Sequence, residues 1–194
     1  MAKSEQTKRD LIRTTQELLK EGNLFTIKDI AQRAYVNIAA VNYHFGDKEH
    51  LISEAIHEIL TELKTELKEK ALCSEPHTTE ETLAGFVDLI YEFAANNIGV
   101  VKYLLLSQKE GEEFFHLFFQ DKDFTDIVFR KMEELTGISD PSVIQAKYLI
   151  LFNSFLFPLF YQVWLQQERL TKLFLYNSGM RQAYLNEMLK LLKQ

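Results

Sequence analysis

An all-α fold is predicted by three observations. Glycine and proline are sparse, seven and three in 194 residues. No stretch alternates apolar and polar residues over the length of a useful strand. Apolar residues recur instead at three- and four-residue spacing along most of the chain. With 46% hydrophobic residues the chain has enough material for an ordinary globular core in one or two compact domains.

The most informative stretch is TIKDIAQRAYVNIAAVNYHFGDKEHL, residues 26–51. The Thr26 hydroxyl can cap the free N–H groups of the next turn while Asp29, three residues on, bonds back, which is a capping box. Ile27, Ile30, Ala31 and Ala34 follow at helical spacing and predict a short helix from Ile27 to Ala34. Tyr35 and Val36 form the turn. Asn37 caps the next helix, in which Ile38, Val41 and Phe45 point inward while Ala39, Asn42, Tyr43 and His44 face out. Gly46 stops it, and Asp47 caps a longer helix that begins at Lys48 and Glu49. Two short helices joined by a tight turn, with a third behind, read as a helix-turn-helix, and that motif points to DNA.

Beyond it the chain reads as helical to its end. Helices are expected at Lys48 to Leu72, then, after a loop holding Cys73 to His77, at Glu80 to Asn96, Ile98 to Gln108, Glu110 to Leu135, Pro141 to Gln167 and Leu170 to Lys193. Pro158 lacks an N–H, so the Ser154 carbonyl loses its helical partner and a bend is expected there. Tyr148 to Tyr161 is apolar on every face, unlike a surface helix of a monomer. One side is expected on its own domain and the other on a second copy, with Leu173, Met180, Tyr184, Met188 and Leu191 supplied by the last helix. Broken by Asn153, Ser154 and Pro158, the stretch falls short of the roughly 18 residues of a membrane span, so no membrane partner is expected.

The tail of the helix-turn-helix, V-N-Y-H-F-G-D-K-E-x-L from Val41 to Leu51, resembles the DNA-binding domain of the TetR family of transcriptional regulators, a likeness that covers about residues 7–53. Two positions depart from the pattern. Tyr35 stands where the family usually has Gly for a left-handed turn, at a cost of about 1–2 kcal/mol, and Thr14-Thr15 stand where small Ala residues are common. The resemblance implies a DNA-binding domain over residues 1–47 and a helical effector-binding and dimerisation domain over 48–194. It implies a recognition helix, Asn37 to Phe45, with Ile38, Ala39 and Asn42 nearest the base edges, Asn being able to pair bidentately with adenine. Tyr43, His44 and Lys48 match positions that hold phosphates. Thr26 and Lys28 lie at the start of the preceding helix, from which Lys28 reaches a phosphate or a guanine. The implied partners are double-stranded DNA carrying a palindromic operator, a second copy of the chain, and a small effector that shifts the linker helix Lys48 to Leu72.

Charge qualifies this reading without overturning it. The chain carries 22 basic and 28 acidic residues, a net of −6, whereas a dedicated nucleic-acid binder is usually basic. The first 50 residues, however, hold eight Lys/Arg and seven Asp/Glu, so the acidity belongs to the remainder. Lys3, Lys8, Arg9 and Arg13 gather on the first helix and its leader, where a short arm could lie along the DNA backbone. These charges also interrupt any apolar run at the start, and a cytoplasmic location is expected.

Twenty of the 24 aromatic residues follow residue 54. Phe114, Phe115, Phe118 and Phe119 are the densest group, and they suggest a pocket for a hydrophobic or amphiphilic ligand. Its expected lining is Tyr91, Tyr103, Phe115, Phe119, Phe152 and Phe155, with Gln108, His116 and Asn153 as orienting polar groups. No enzyme is expected, since there is no phosphate-cradling glycine loop, nucleophile elbow, His-Glu-x-x-His motif or cysteine pair, and no cofactor is implied. His50, Glu54 and His57 share a helix face, but a solvated polar face explains them better than a metal. The reading is a ligand-responsive repressor, with a helical protein-interaction regulator or activator lacking a small-molecule inducer as the alternative.

Overall fold

A computed structural model of the chain describes residues 2–72, 78–165 and 177–194. The expected Cys73–His77 loop and the segment 166–176, with Leu173, lie outside the described residues. Among the described residues the regular structure is ten helices: α1 Ala2–Glu21, α2 Ile27–Arg33, α3 Ile38–Phe45, α4 Lys48–Leu72, α5 Thr79–Asn96, α6 Ile98–Leu106, α7 Gln108–Phe119, α8 Lys122–Thr136, α9 Pro141–Leu165 and α10 Ser178–Lys193.

These helices form two compact units. One comprises Met1–Leu63 and Asn97–Glu113, the other Lys64–Asn96 and Phe114–Gln194. An expected boundary at residue 47 follows the motif; packing instead adds the first part of α4, all of α6 and the start of α7 to the N-terminal helices.

In the first unit Leu11 and Leu19 of α1, Ile30 of α2, Val41 of α3, and Leu51, Ala55 and Ile56 of α4 are fully or almost fully buried. Thr14 and Thr15 are buried with them, and the Thr15 hydroxyl donates to the Leu11 carbonyl at 2.9 Å, so this polar group is satisfied inside its own helix. The close approach of α6 to α1 requires Gly99, because a Cβ there would collide with the Leu19 carbonyl. Lys102 of α6 then donates to the Gly22 carbonyl at 3.2 Å, beside the left-handed turn that ends α1. Because α1 begins at Ala2, the basic residues expected partly on an arm ride on a helix. Lys8 pairs with Glu54 at 2.8 Å and lies 5.5 Å over the Phe45 ring.

The helix expected from Glu110 to Leu135 is two helices, α7 and α8. Asp121 interrupts it, accepting from the Phe124 N–H at 3.1 Å as the N-cap of α8. The same carboxylate is ion-paired with Lys64 of α4 and lies 3.7 Å from Lys68. Burial pushes its pKa up, but the Lys64 ammonium, the Phe124 N–H and Lys68 outweigh that and hold it below its ordinary value.

Helix α9 buries Ile144, Tyr148, Phe152, Phe155 and Leu159 on one face and leaves Val143, Ile150, Phe157, Phe160 and Tyr161 exposed on the other. It runs through Pro158. The Ser154 carbonyl, which the proline deprives of its helical donor, accepts instead from the Tyr184 hydroxyl of α10 at 2.5 Å. Tyr184 and Met188 therefore face their own unit, contrary to the expectation that they belong to a seam with a second copy; Met180 and Leu191 are exposed. Within Pro141–Tyr161, 21 residues, an 18-residue window reaches a mean hydropathy of 1.5, so α9 is long and apolar enough to cross a membrane by length and composition, a correction to the shorter stretch expected from Tyr148.

Candidate nucleic-acid interface

The first helix of the motif starts as its residues dictate. Thr26 accepts from the Asp29 N–H at 3.3 Å, and the Asp29 carboxylate accepts from the Thr26 N–H and hydroxyl, each at 2.7 Å. The Thr26 hydroxyl and then its N–H hold the Asp29 carboxyl below its ordinary pKa. Lys28 is exposed on the first turn of this helix. Arg33, at its other end, is ion-paired with Glu21 at 2.5 Å and with Glu17 at 3.6 Å.

The turn closes as a Schellman motif, with the Tyr35 N–H bonded to the Gln32 carbonyl at 3.2 Å and the Val36 N–H to the Ala31 carbonyl at 2.9 Å. Tyr35 takes the left-handed residue of that motif, φ 56°, and its ring is 96% exposed. The departure from glycine therefore leaves the turn geometry intact. Beside it a concavity of 560 Å³ is lined by Leu18, Glu21, Leu24, Phe25, Arg33 and Tyr35, among others.

Asn37 caps α3, its side chain accepting from the Ala39 N–H at 2.9 Å. Val41 and Phe45 anchor the helix in the core, so Ala39, Asn42 and Tyr43 are presented outward, Tyr43 with 81% of its surface exposed. Ile38, expected to point both inward and toward base edges, is 38% exposed; it shares the stripe of Val41 and Phe45 but sits on the first turn, at the end of the helix. His44 is half-buried, its ring edge-on to Tyr43 at 5.1 Å between centroids. Gly46 ends the helix at φ 79°, and Asp47 accepts from the His50 N–H at 2.8 Å, capping α4. That N–H, followed by the His50 ring, holds the Asp47 carboxyl below its ordinary pKa. Lys48 reaches back to the Phe25 carbonyl at 3.5 Å, with its ammonium 5.9 Å over the Phe25 ring. Phe25 thus helps position an expected phosphate contact from 23 residues away, which no local pattern reveals. His50 is engaged by Asp47 and Glu54 by Lys8, and no cluster of metal-ligating residues occurs among the described residues.

The residues expected to line a pocket are divided between the two units. Phe115, Phe119, Phe152 and Phe155 do come together, with Phe114, Phe118 and Tyr148, but ring centroids 4.6–6.4 Å apart show them packed against one another. The Tyr148 hydroxyl donates to the Phe118 carbonyl. Asn153 is exposed and donates to the Leu149 carbonyl at 2.8 Å, so it orients nothing in the interior. His116 and Gln108 are exposed, and Gln108 donates to Glu112 at 3.0 Å. Tyr103 and Gln108 belong to the first unit. Tyr91 is buried elsewhere in the second unit, near Asp88, Arg181 and Tyr184.

Residues 11–55 match the family model described as bacterial regulatory proteins, tetR family. Among solved structures, a TetR/AcrR-family transcriptional regulator from Thermobifida fusca YX-ER1 is similar at a TM-score of 0.62 and 16% identity, covering 96% of each chain. The TetR family repressor AlkX from Dietzia sp. strain DQ12-45-1b, implicated in biodegradation of n-alkanes, is similar at a TM-score of 0.43 and 12% identity, over 95% of this chain and 96% of that one. No curated protein matches the sequence.

Proposed function

The chain belongs to the TetR family of transcriptional regulators, and from that premise we propose that it binds a palindromic operator as a homodimer, represses the promoter it covers, and is released by a small, largely apolar effector. The observation that carries this reading is the outer face of α3. Tyr43 stands 81% exposed beside Asn42 and Ala39, on a helix whose opposite face is locked by Val41 and Phe45. A rigid helix presenting an amide and a phenol outward suits base-edge and phosphate contacts respectively.

Dimerisation is supported by the exposed stripe Val143, Ile150, Phe157, Phe160 and Tyr161 on α9. A row of exposed apolar side chains at helical spacing supports an interaction site. We read it as the seam between two copies in the cytoplasm rather than as a membrane face. The effector acts by linkage: a ligand that prefers the DNA-incompetent state weakens operator binding, and DNA weakens ligand binding by the same factor. A second reading, a regulator that answers to a protein partner, is favoured by the exposed Leu24 and Tyr35 beside the 560 Å³ concavity.

Fluorescence anisotropy on operator DNA tests the interface. Tyr43→Ala and Lys48→Ala should each weaken binding by about tenfold with helical content unchanged, and Lys48→Ala should lower the salt slope by about one. Unaltered affinity in both variants contradicts the assignment.

A further inference from the structure

Tyr91 of α5 is fully buried, 0% exposed, and its hydroxyl has no hydrogen-bond partner among the described residues. An unpaired buried hydroxyl costs about 1–3 kcal/mol, and phenylalanine would fill nearly the same space without that cost. The surroundings are polar on two helices. Asp88 lies one turn before Tyr91 on α5, and Arg181 lies one turn before Tyr184 on α10, so each pair shares a helix face. The Arg181 Nε is 3.8 Å from the Asp88 carboxylate, and the Arg181 side chain is 16% exposed. Tyr184 spends its own hydroxyl on the Ser154 carbonyl. Burial above all, then Tyr184, pushes the Tyr91 pKa up, with Arg181 and Asp88 acting on it in opposite directions. The group is a neutral phenol at pH 7 and able to donate.

We propose that the Tyr91 hydroxyl, with the Arg181 guanidinium beside it, anchors the acceptor oxygen of a carboxylate on an apolar effector. A phenol donates its proton to such an oxygen, and the adjacent cation favours an acceptor that bears negative charge. The site rests on the ligand-responsive reading above and adds to it a chemical class and an anchoring residue.

The test uses the full-length protein and two probes with the same apolar body, 3-phenylpropionate and 3-phenylpropylamine, titrated calorimetrically into the wild type and Tyr91→Phe, with thermal unfolding of each unliganded form. The expected result is that the wild type prefers the acid to the amine. Tyr91→Phe should unfold at the same or a higher temperature yet bind the acid about tenfold more weakly, as the loss of one hydrogen bond to a charged group implies. A structural hydroxyl would give the opposite pattern, lower stability with unchanged binding. No binding of the acid by the wild type, or equal binding by both proteins, overturns the site. Failure of the site alone is recognised by a different small molecule releasing operator equally from both proteins. If no small molecule changes operator affinity, the ligand-responsive reading falls and takes the site with it.

Discussion

Tyr35 holds a left-handed backbone conformation, φ 56°, that glycine adopts without strain, and its ring is 96% exposed, so little packing offsets the cost. Tyr35→Gly should therefore stabilise the chain by about 1 kcal/mol, less whatever the added freedom of glycine returns to the unfolded state. Urea denaturation measures this, and a loss of stability would mean that the ring makes a contact the fold needs. At this scale the legible residues were those whose chemistry is local. Thr26, Asn37 and Asp47 cap the helices that follow them because each reaches only two or three residues along the chain. Ile38 was half misread, since periodicity grouped it with Val41 and Phe45 although it lies on the first turn of a short helix. The hold of Phe25 on Lys48 was invisible because it depends on how two helices meet.

Among the elements, α4 matched its expected span from Lys48 to Leu72, while the break between α7 and α8 did not show, because apolar spacing continues across Gln120 and Asp121. Asp121 makes that break useful, capping α8 and pairing with Lys64 and Lys68 of α4. Its folded pKa lies below its ordinary 3.8, so its ionic contribution is fully present above that value and is lost as pH falls through the folded value. Asp121→Asn, which keeps the cap, should cost about 1 kcal/mol at pH 7. Denaturation from pH 7 to pH 2 should show the difference from wild type shrinking below about pH 4. A constant difference throughout would mean that the ion pairs contribute nothing. The deprived Ser154 carbonyl was foreseen from Pro158, but its new donor was not, since Tyr184 lies 30 residues away. The phenylalanines of α7 were read as a pocket wall from their density. Density alone does not distinguish a wall from a core, and they pack on one another.

On the scale of the whole molecule, the all-helical class and the helix-turn-helix were legible because both arise from periodicities within a few turns. The partition into units was not, because α6 joins the N-terminal helices through the close approach permitted by Gly99, a contact between residues about 80 apart. Helix α4 carries residues of both units in one unbroken run from Lys48, and it is the element through which the proposed effector response would reach the DNA contacts. The stripe on α9 and the outer face of α3 support the same account: two copies joined along one face present two recognition helices to half-sites about 34–36 Å apart. The most direct measurement is selection of bound sequences from a random duplex pool by the purified protein at near-physiological salt, where nonspecific phosphate attraction is suppressed. The account predicts enrichment of a palindrome whose half-sites are about one helical turn apart; enrichment of a single half-site, or of no sequence at all, would contradict it.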